Sequence, residues 1–188
     1  MTKQLIVVGG GVRSGKSSFA LARARSLGRR LVFIATAQPF DAEMTQRITL
    51  HRSERGDDFV TIEEPLAIAR VLARIRDVDA VVIDCVTIWL SNLLLGERTA
   101  AQILDCVDKL VEVLARRRFH AIVVTNEVGM GIVPETPLGR EFRDLCGLAH
   151  QRLARCADEI DVAILGAVLR IKPAPVQLQD GGCHAATD

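Results

Sequence analysis

Residues 10–17 read Gly10, Gly11, Val12, Arg13, Ser14, Gly15, Lys16, Ser17. Two glycines bracket four residues, then Lys and Ser follow, which is the G-x-x-x-x-G-K-[ST] spacing of a phosphate cradle. Glycines let the backbone wrap closely, so that successive N–H groups point at phosphate oxygens. Lys16 is placed to reach the β- and γ-phosphates as a point charge. The Ser17 hydroxyl is placed to bind Mg²⁺, directly or through water, and a helix starting there adds its positive dipole end. A chance glycine-rich turn can match the same pattern, so the flanking elements decide. An apolar run, residues 4–8, precedes the cradle and a helical pattern follows it.

A magnesium shell calls for a second oxygen donor at the end of a neighbouring strand. Asp84, closing the run "VVID", fits, although a strand-end carboxylate can also serve only as a cap. Arg47, His51 and Arg55 are spaced by four and so share one helix face, with Arg52 adjacent. Such a row suits a polyphosphate, and a neutral imidazole there is a nucleophile for phosphorus. Taken from spacing alone, a solvated basic face with an ordinary surface histidine is the plainer account. His120, His150 and His184 carry weaker signals.

The positioning elements alternate. Buried strand patterns cover residues 4–8, 31–35, 80–85 and 120–125, with a short strand in "DFVTIEEP" and a strand or hairpin in "EIDVAILGAVLRIK". Helical patterns run from about Ser17 to Leu27, from Asp41 to Arg55, through "PLAIARVLARI", over 86–95 and 100–118, and from Pro137 to Ala157. The expected fold is α/β, a mostly parallel sheet with helices on both faces. Residues 1–172 form one nucleotide-binding domain, and 173–188, rich in Pro, Gly, Gln and Ala, form a flexible tail.

Bulk properties narrow the function. A net charge of +1 gives no support for a nucleic-acid partner, and aromatics at 4% offer few stacking platforms. Five cysteines with no C-x-x-C pair read as reduced thiols of a cytoplasmic protein and argue against zinc. No run approaches a membrane span, and the N-terminus lacks the pattern of a signal peptide. The guanine-reading N-K-x-D and the D-x-x-G of a GTPase are absent. A small-molecule kinase or transferase fits the size; a non-enzymatic nucleotide-binding module stays open.

The segments "GGVRSGKSSFA", "IATAQPFDAEMTQRITLHRSER", "EEP", "VVIDCVTIWLSNLLL", "VTNEVGMGIVPETPLGREFRDLCGLAHQRLA" and "LRIK" follow one another in this order. Together they resemble the bifunctional adenosylcobinamide kinase / adenosylcobinamide-phosphate guanylyltransferase family of cobalamin biosynthesis, from about Leu5 to Lys172. The resemblance implies a RecA-like P-loop fold and two reactions. Adenosylcobinamide is phosphorylated on its aminopropanol hydroxyl from ATP or GTP. GMP is then moved from GTP to that phosphate through a GMP-histidine intermediate, giving adenosylcobinamide-GDP. A kinase without the second step is the alternative.

The same resemblance places the nucleophile at His51 of "RITLHR". It implies nucleotide contacts at Ala35, Thr36 and Ala37, at His51, Arg52, Ser53 and Glu54, and at Glu63 and Asp84. It also implies a homo-oligomer, a trimer. Val12 stands where the family usually has Ala, which changes bulk and no polar group. The loop "NEVGMGIVP" has no derivable role: a corrinoid-side or subunit contact and a purely structural Ω-loop both stay open.

Overall fold

The computed structural model describes residues 3–39 and 41–179. Its centre is an eight-stranded sheet in the order β3-β2-β4-β5-β1-β6-β7-β8. The strands are β1 (Leu5–Gly10), β2 (Leu31–Ala35), β3 (Phe59–Glu63), β4 (Ala80–Asp84), β5 (His120–Val124), β6 (Glu159–Ile164), β7 (Ala167–Lys172) and β8 (Gln177–Gln179). The helices are α1 (Lys16–Leu27), α2 (Ala42–Arg55), α3 (Ile68–Arg74), α4 (Val86–Leu95), α5 (Ala100–Ala115) and α6 (Pro137–Cys156). β1 to β6 pair in parallel; β7 and β8 pair antiparallel.

The continuous apolar runs of β1, β2, β4 and β5 follow from burial on both faces, which a parallel sheet with helical crossovers imposes. Residues alternate between two cores. Leu5, Val7, Val81 and Ile83 pack with α3 to α6 on one face. Ile6, Val8, Val82 and Ile122 pack with Phe19, Ala20 and Ala24 of α1 on the other. The stripe of α6 buries Leu145, Cys146, Ala149 and Leu153. That helix starts at Thr136, whose hydroxyl accepts the Gly139 N–H at 3.1 Å, with Pro137 in the first turn.

Two expectations change. The acid-bearing strand β4 is not the neighbour of the P-loop strand: β5 lies between β1 and β4. Chain order and the apolar pattern fit either arrangement, because β5 is as apolar as the strands beside it. Part of the segment expected as a tail forms a strand. Gln177–Gln179 pair with β7, the free edge left by the β6–β7 hairpin, where unpaired backbone groups invite another strand. Residues 180–188 lie outside the described residues.

The hairpin turns at Leu165 and Gly166, with φ of 53° and 82°. Positive φ at both positions is the two-residue turn that matches strand twist.

Candidate functional site

The cradle, Ala35, Glu63 and Asp84 lie at the C-terminal ends of β1, β2, β3 and β4. β1 ends in the cradle, and Gly15, at φ 91°, leads into α1. Gly10 has φ 152°, and a Cβ there would lie 2.5 Å from the Ala163 carbonyl oxygen and 2.8 Å from Ser14 Oγ. Only glycine lets the loop lie this close to β6. Lys16 folds back over the loop and donates to the Gly11 carbonyl at 3.0 Å. Burial lowers its pKa and the nearby Asp84 opposes that shift, so the two side chains sense each other's charge. Ser14 Oγ is buried and has no hydrogen-bond partner among the described residues. An orphaned hydroxyl inside a glycine loop fits a cradle built to take an anion.

Ala35, Glu63 and Asp84 form a row. Ala35 of β2 is in register with Glu63 on one side and Asp84 on the other. Thr36 locks this edge. Its Oγ1 accepts the Cys85 N–H at 2.8 Å and donates to the Cys85 carbonyl at 2.9 Å, while its N–H donates to the Asp84 carbonyl at 3.2 Å. Asn92 of α4 closes the far side, donating to the Thr36 and Pro65 carbonyls at 2.8 and 3.1 Å. Ala37 follows, half-buried.

The basic helix is α2, ending at Gly56 with φ 62°. Arg52 pairs with Glu63, so two predicted nucleotide contacts meet across α2 and β3. Arg55 is not on a solvated face. It is 3% exposed, and its guanidinium lies 4.2 Å from the Phe33 ring centre. Burial lowers its pKa, Arg52 lowers it further, and Asp84 and Glu63 oppose the shift. The last turn of α2 is tied to α1 by Arg25, which donates to the Arg55 carbonyl and to Asp58, each at 2.9 Å. His51 lies one helical turn before Arg55 in the backbone of α2. The side chains of Arg47, His51, Ser53 and Glu54 lie outside the described part of the molecule.

The structure adds residues that the spacing did not single out. Thr87, Thr125, Glu127 and His150 make a polar chain beside the cradle. The Glu127 N–H donates to the Gly10 carbonyl at 3.0 Å. No pattern in the chain pairs a loop glutamate with a histidine 23 residues later inside an amphipathic helix. A cavity of about 670 Å³ opens here, lined by the cradle, Glu127, Met130, His150 and the β6–β7 hairpin.

The description "Cobinamide kinase / cobinamide phosphate guanyltransferase" belongs to a family model that matches residues 6–171. The bifunctional adenosylcobalamin biosynthesis protein CobP of Pseudomonas aeruginosa is 37% identical over 176 residues, covering 89% of this chain and 96% of its own. The bifunctional adenosylcobalamin biosynthesis protein CobU of Salmonella typhimurium is also 37% identical, covering 89% of this chain and 99% of its own. Among solved structures, the RadB recombinase superposes with a TM-score of 0.53 at 17% identity, over 89% of this chain and 79% of that one. A Pyrococcus horikoshii protein, PH0250, gives 0.55 at 8% identity, over 92% and 87%. These two likenesses show a RecA-like P-loop fold.

Proposed function

Since the chain belongs to the cobinamide kinase / cobinamide phosphate guanyltransferase family, we propose that one triphosphate site serves both of its reactions. The chain is an enzyme, a cobinamide kinase and cobinamide phosphate guanylyltransferase of cobalamin biosynthesis. The observation that carries the single-site reading is the row Glu63–Ala35–Asp84, set at the same sheet edge as Lys16 and the orphaned Ser14 hydroxyl.

In the first step the cradle N–H groups and Lys16 hold the β- and γ-phosphates of ATP or GTP. The acceptor hydroxyl attacks the γ-phosphorus, and the nucleoside diphosphate leaves. In the second step GTP lies with its α-phosphorus toward His51. The imidazole attacks, an N–P bond forms, and pyrophosphate leaves into the cradle. The cobinamide phosphate then attacks the same phosphorus, the N–P bond breaks, and His51 is restored. Arg52 and Arg55 add positive charge where the α-phosphate develops negative charge. Ala35, Thr36, Ala37, Ser53, Glu54 and Glu63 contact the nucleotide.

Ser17 and Asp84 are the residues that would hold Mg²⁺. One hydroxyl and one carboxylate suit a hard cation that keeps waters and takes phosphate oxygens. No group of three or more His, Cys, Asp or Glu among the described residues could hold a metal alone. The ion supplies charge neutralisation on the phosphates when bound.

No helix among the described residues is long and apolar enough to cross a membrane. A cytoplasmic homotrimer is the assembly that the family resemblance supports.

The test is label transfer. Incubated with Mg²⁺ and GTP labelled at the α-phosphorus, the protein should acquire an acid-labile covalent label, and His51→Ala should not. His51→Ala should still phosphorylate cobinamide. A wild-type protein that takes no label but phosphorylates cobinamide is a kinase alone, and the two-step reading falls.

A further inference from the structure

The polar chain beside the cradle plays no part in the two reactions as written above, and it ends on the cavity wall. Thr87, in the first turn of α4, accepts the Asn126 N–H at 2.7 Å. Its Oγ1 lies 3.0 Å from Thr125 Oγ1, and both residues are buried. Thr125 Oγ1 lies 2.7 Å from His150 Nε2, and His150 Nδ1 faces Glu127 Oε2 at 3.7 Å.

The backbone is compatible with a chain that runs from Thr87 to His150. With the Asn126 N–H on a lone pair of Thr87, the Thr87 hydroxyl is free to donate onward. Its shorter acceptor is Thr125 Oγ1, since the Asn126 carbonyl lies at 3.4 Å. Thr125 then donates to Nε2, which leaves the imidazole hydrogen on Nδ1, toward the Glu127 carboxylate. Burial holds the His150 pKa below its ordinary value against the opposing charge of Glu127, so the ring is neutral, as the pattern requires.

We propose that Glu127 is the general base of the phosphoryl-transfer step, with His150 a positioning residue that orients its carboxylate. The assignment rests on the two-step reading. Glu127 is one backbone hydrogen bond from Gly10. Its Oε1 accepts the Gly129 N–H at 2.5 Å, and Oε2, which faces His150 Nδ1 at 3.7 Å, keeps a second lone pair to take a proton. The Gly129 carbonyl is itself held by Arg143, which fixes the loop to α6. The adjoining cavity, about 670 Å³ and walled by Val12, Met130 and Leu165, has room for the hydroxyl-bearing arm of an acceptor.

The step balances. The acceptor O–H bond breaks and its proton passes to Glu127 Oε2. The oxygen forms a bond to the γ-phosphorus. The bond from that phosphorus to the bridging oxygen breaks, and its electron pair leaves with the nucleoside diphosphate. The Glu127 side chain is 36% exposed, so its proton returns to water afterwards.

Only the first reaction needs this base. An alcohol must lose a proton, whereas the acceptor of the second reaction is already a phosphate anion. Glu127→Gln should therefore lower kcat for cobinamide phosphorylation by about 10²-fold or more, with the KM for ATP little changed. GMP transfer from GTP to preformed cobinamide phosphate should persist. His150→Asn should lower the same kcat less, again without moving KM, and Glu127→Asp, which withdraws the carboxylate, should fall between Glu127→Gln and wild type.

A Glu127→Gln enzyme with wild-type kinase kcat would overturn the assignment. So would loss of both reactions together with a lowered Tm, which marks a structural role. A wild-type protein that phosphorylates no cobinamide would remove the two-step reading itself, and this assignment with it.

Discussion

Asp84 and Glu63 lie on opposite sides of Ala35, at the C-terminal ends of three paired strands. Two acids from different strands thus share one sheet edge. Their surroundings differ: Glu63 is paired with Arg52, while Asp84 lies within the electrostatic reach of Lys16.

Asp84→Asn should depress both reactions if one triphosphate clamp serves both, as proposed. A loss on the order of 10²-fold in kcat is expected where one oriented charge near the phosphates is removed. The Mg²⁺ concentration for half-maximal rate should rise in both assays. A variant with one reaction intact and unchanged Mg²⁺ dependence would show that Asp84 serves only one step.

Thr36 is fully buried and exchanges hydrogen bonds with both backbone groups of Cys85. Thr36→Val keeps the shape and strands the Cys85 N–H, while the Cys85 carbonyl keeps the Trp89 N–H. The expected cost is about 1–3 kcal/mol, read as a lower Tm, with nucleotide affinity falling as the neighbouring Asp84 shifts. Thr36→Ser restores the hydroxyl and should recover most of both.

Gly10→Ala introduces a methyl group against the backbone of β6. The nearest atom, the Ala163 carbonyl oxygen at 2.5 Å, cannot rotate away. Overpacking of this kind costs about 1–3 kcal/mol, and the displaced loop should lose nucleotide binding as well. Titration with a fluorescent GTP analogue alongside thermal unfolding measures the two effects separately.

Asp161 should give the protein a pH dependence of stability. It is fully buried on β6 beside Glu159, and neither carboxylate oxygen has a hydrogen-bond partner among the described residues. Burial and the neighbouring Glu159 raise its pKa, while Arg170 and Arg23 oppose the shift. The folded chain then keeps a proton that the unfolded chain has already lost above the ordinary carboxylate range. Stability from this group is therefore present at acid pH and is lost as pH rises through the elevated value. Asp161→Asn should flatten that slope and raise Tm at pH 8. Thermal scans between pH 5 and pH 8 on both proteins would show it; parallel curves would remove the explanation.

Much of the fold was legible because it is written in contiguous residues. The cradle from Gly10 to Ser17, the apolar runs of β1, β2, β4 and β5, and the stripe of α6 are local patterns set by dihedral freedom and by burial. The strand or hairpin expected in "EIDVAILGAVLRIK" belongs to the same class, although only the structure puts its turn at Leu165 and Gly166. Arg55 shows the limit of such patterns. A cation spaced by four from His51 reads as part of a solvated face, yet the end of α2 carries it onto the Phe33 ring.

Sequence by itself supplied the expected groups: Lys16, Ser17 and Asp84 through the cradle pattern and a strand-end acid, and His51 only through the family resemblance. It also determined that strands and helices alternate, since each period of two or of 3.6 is a property of neighbouring residues. Tertiary structure decided what stands next to what. It slid β5 between β1 and β4, brought Glu63 and Asp84 to either side of Ala35, and aimed His150 at Glu127. Parallel strands are joined by crossovers that leave their order open, so such neighbours are selected by packing of the whole sheet and not by any local run of residues.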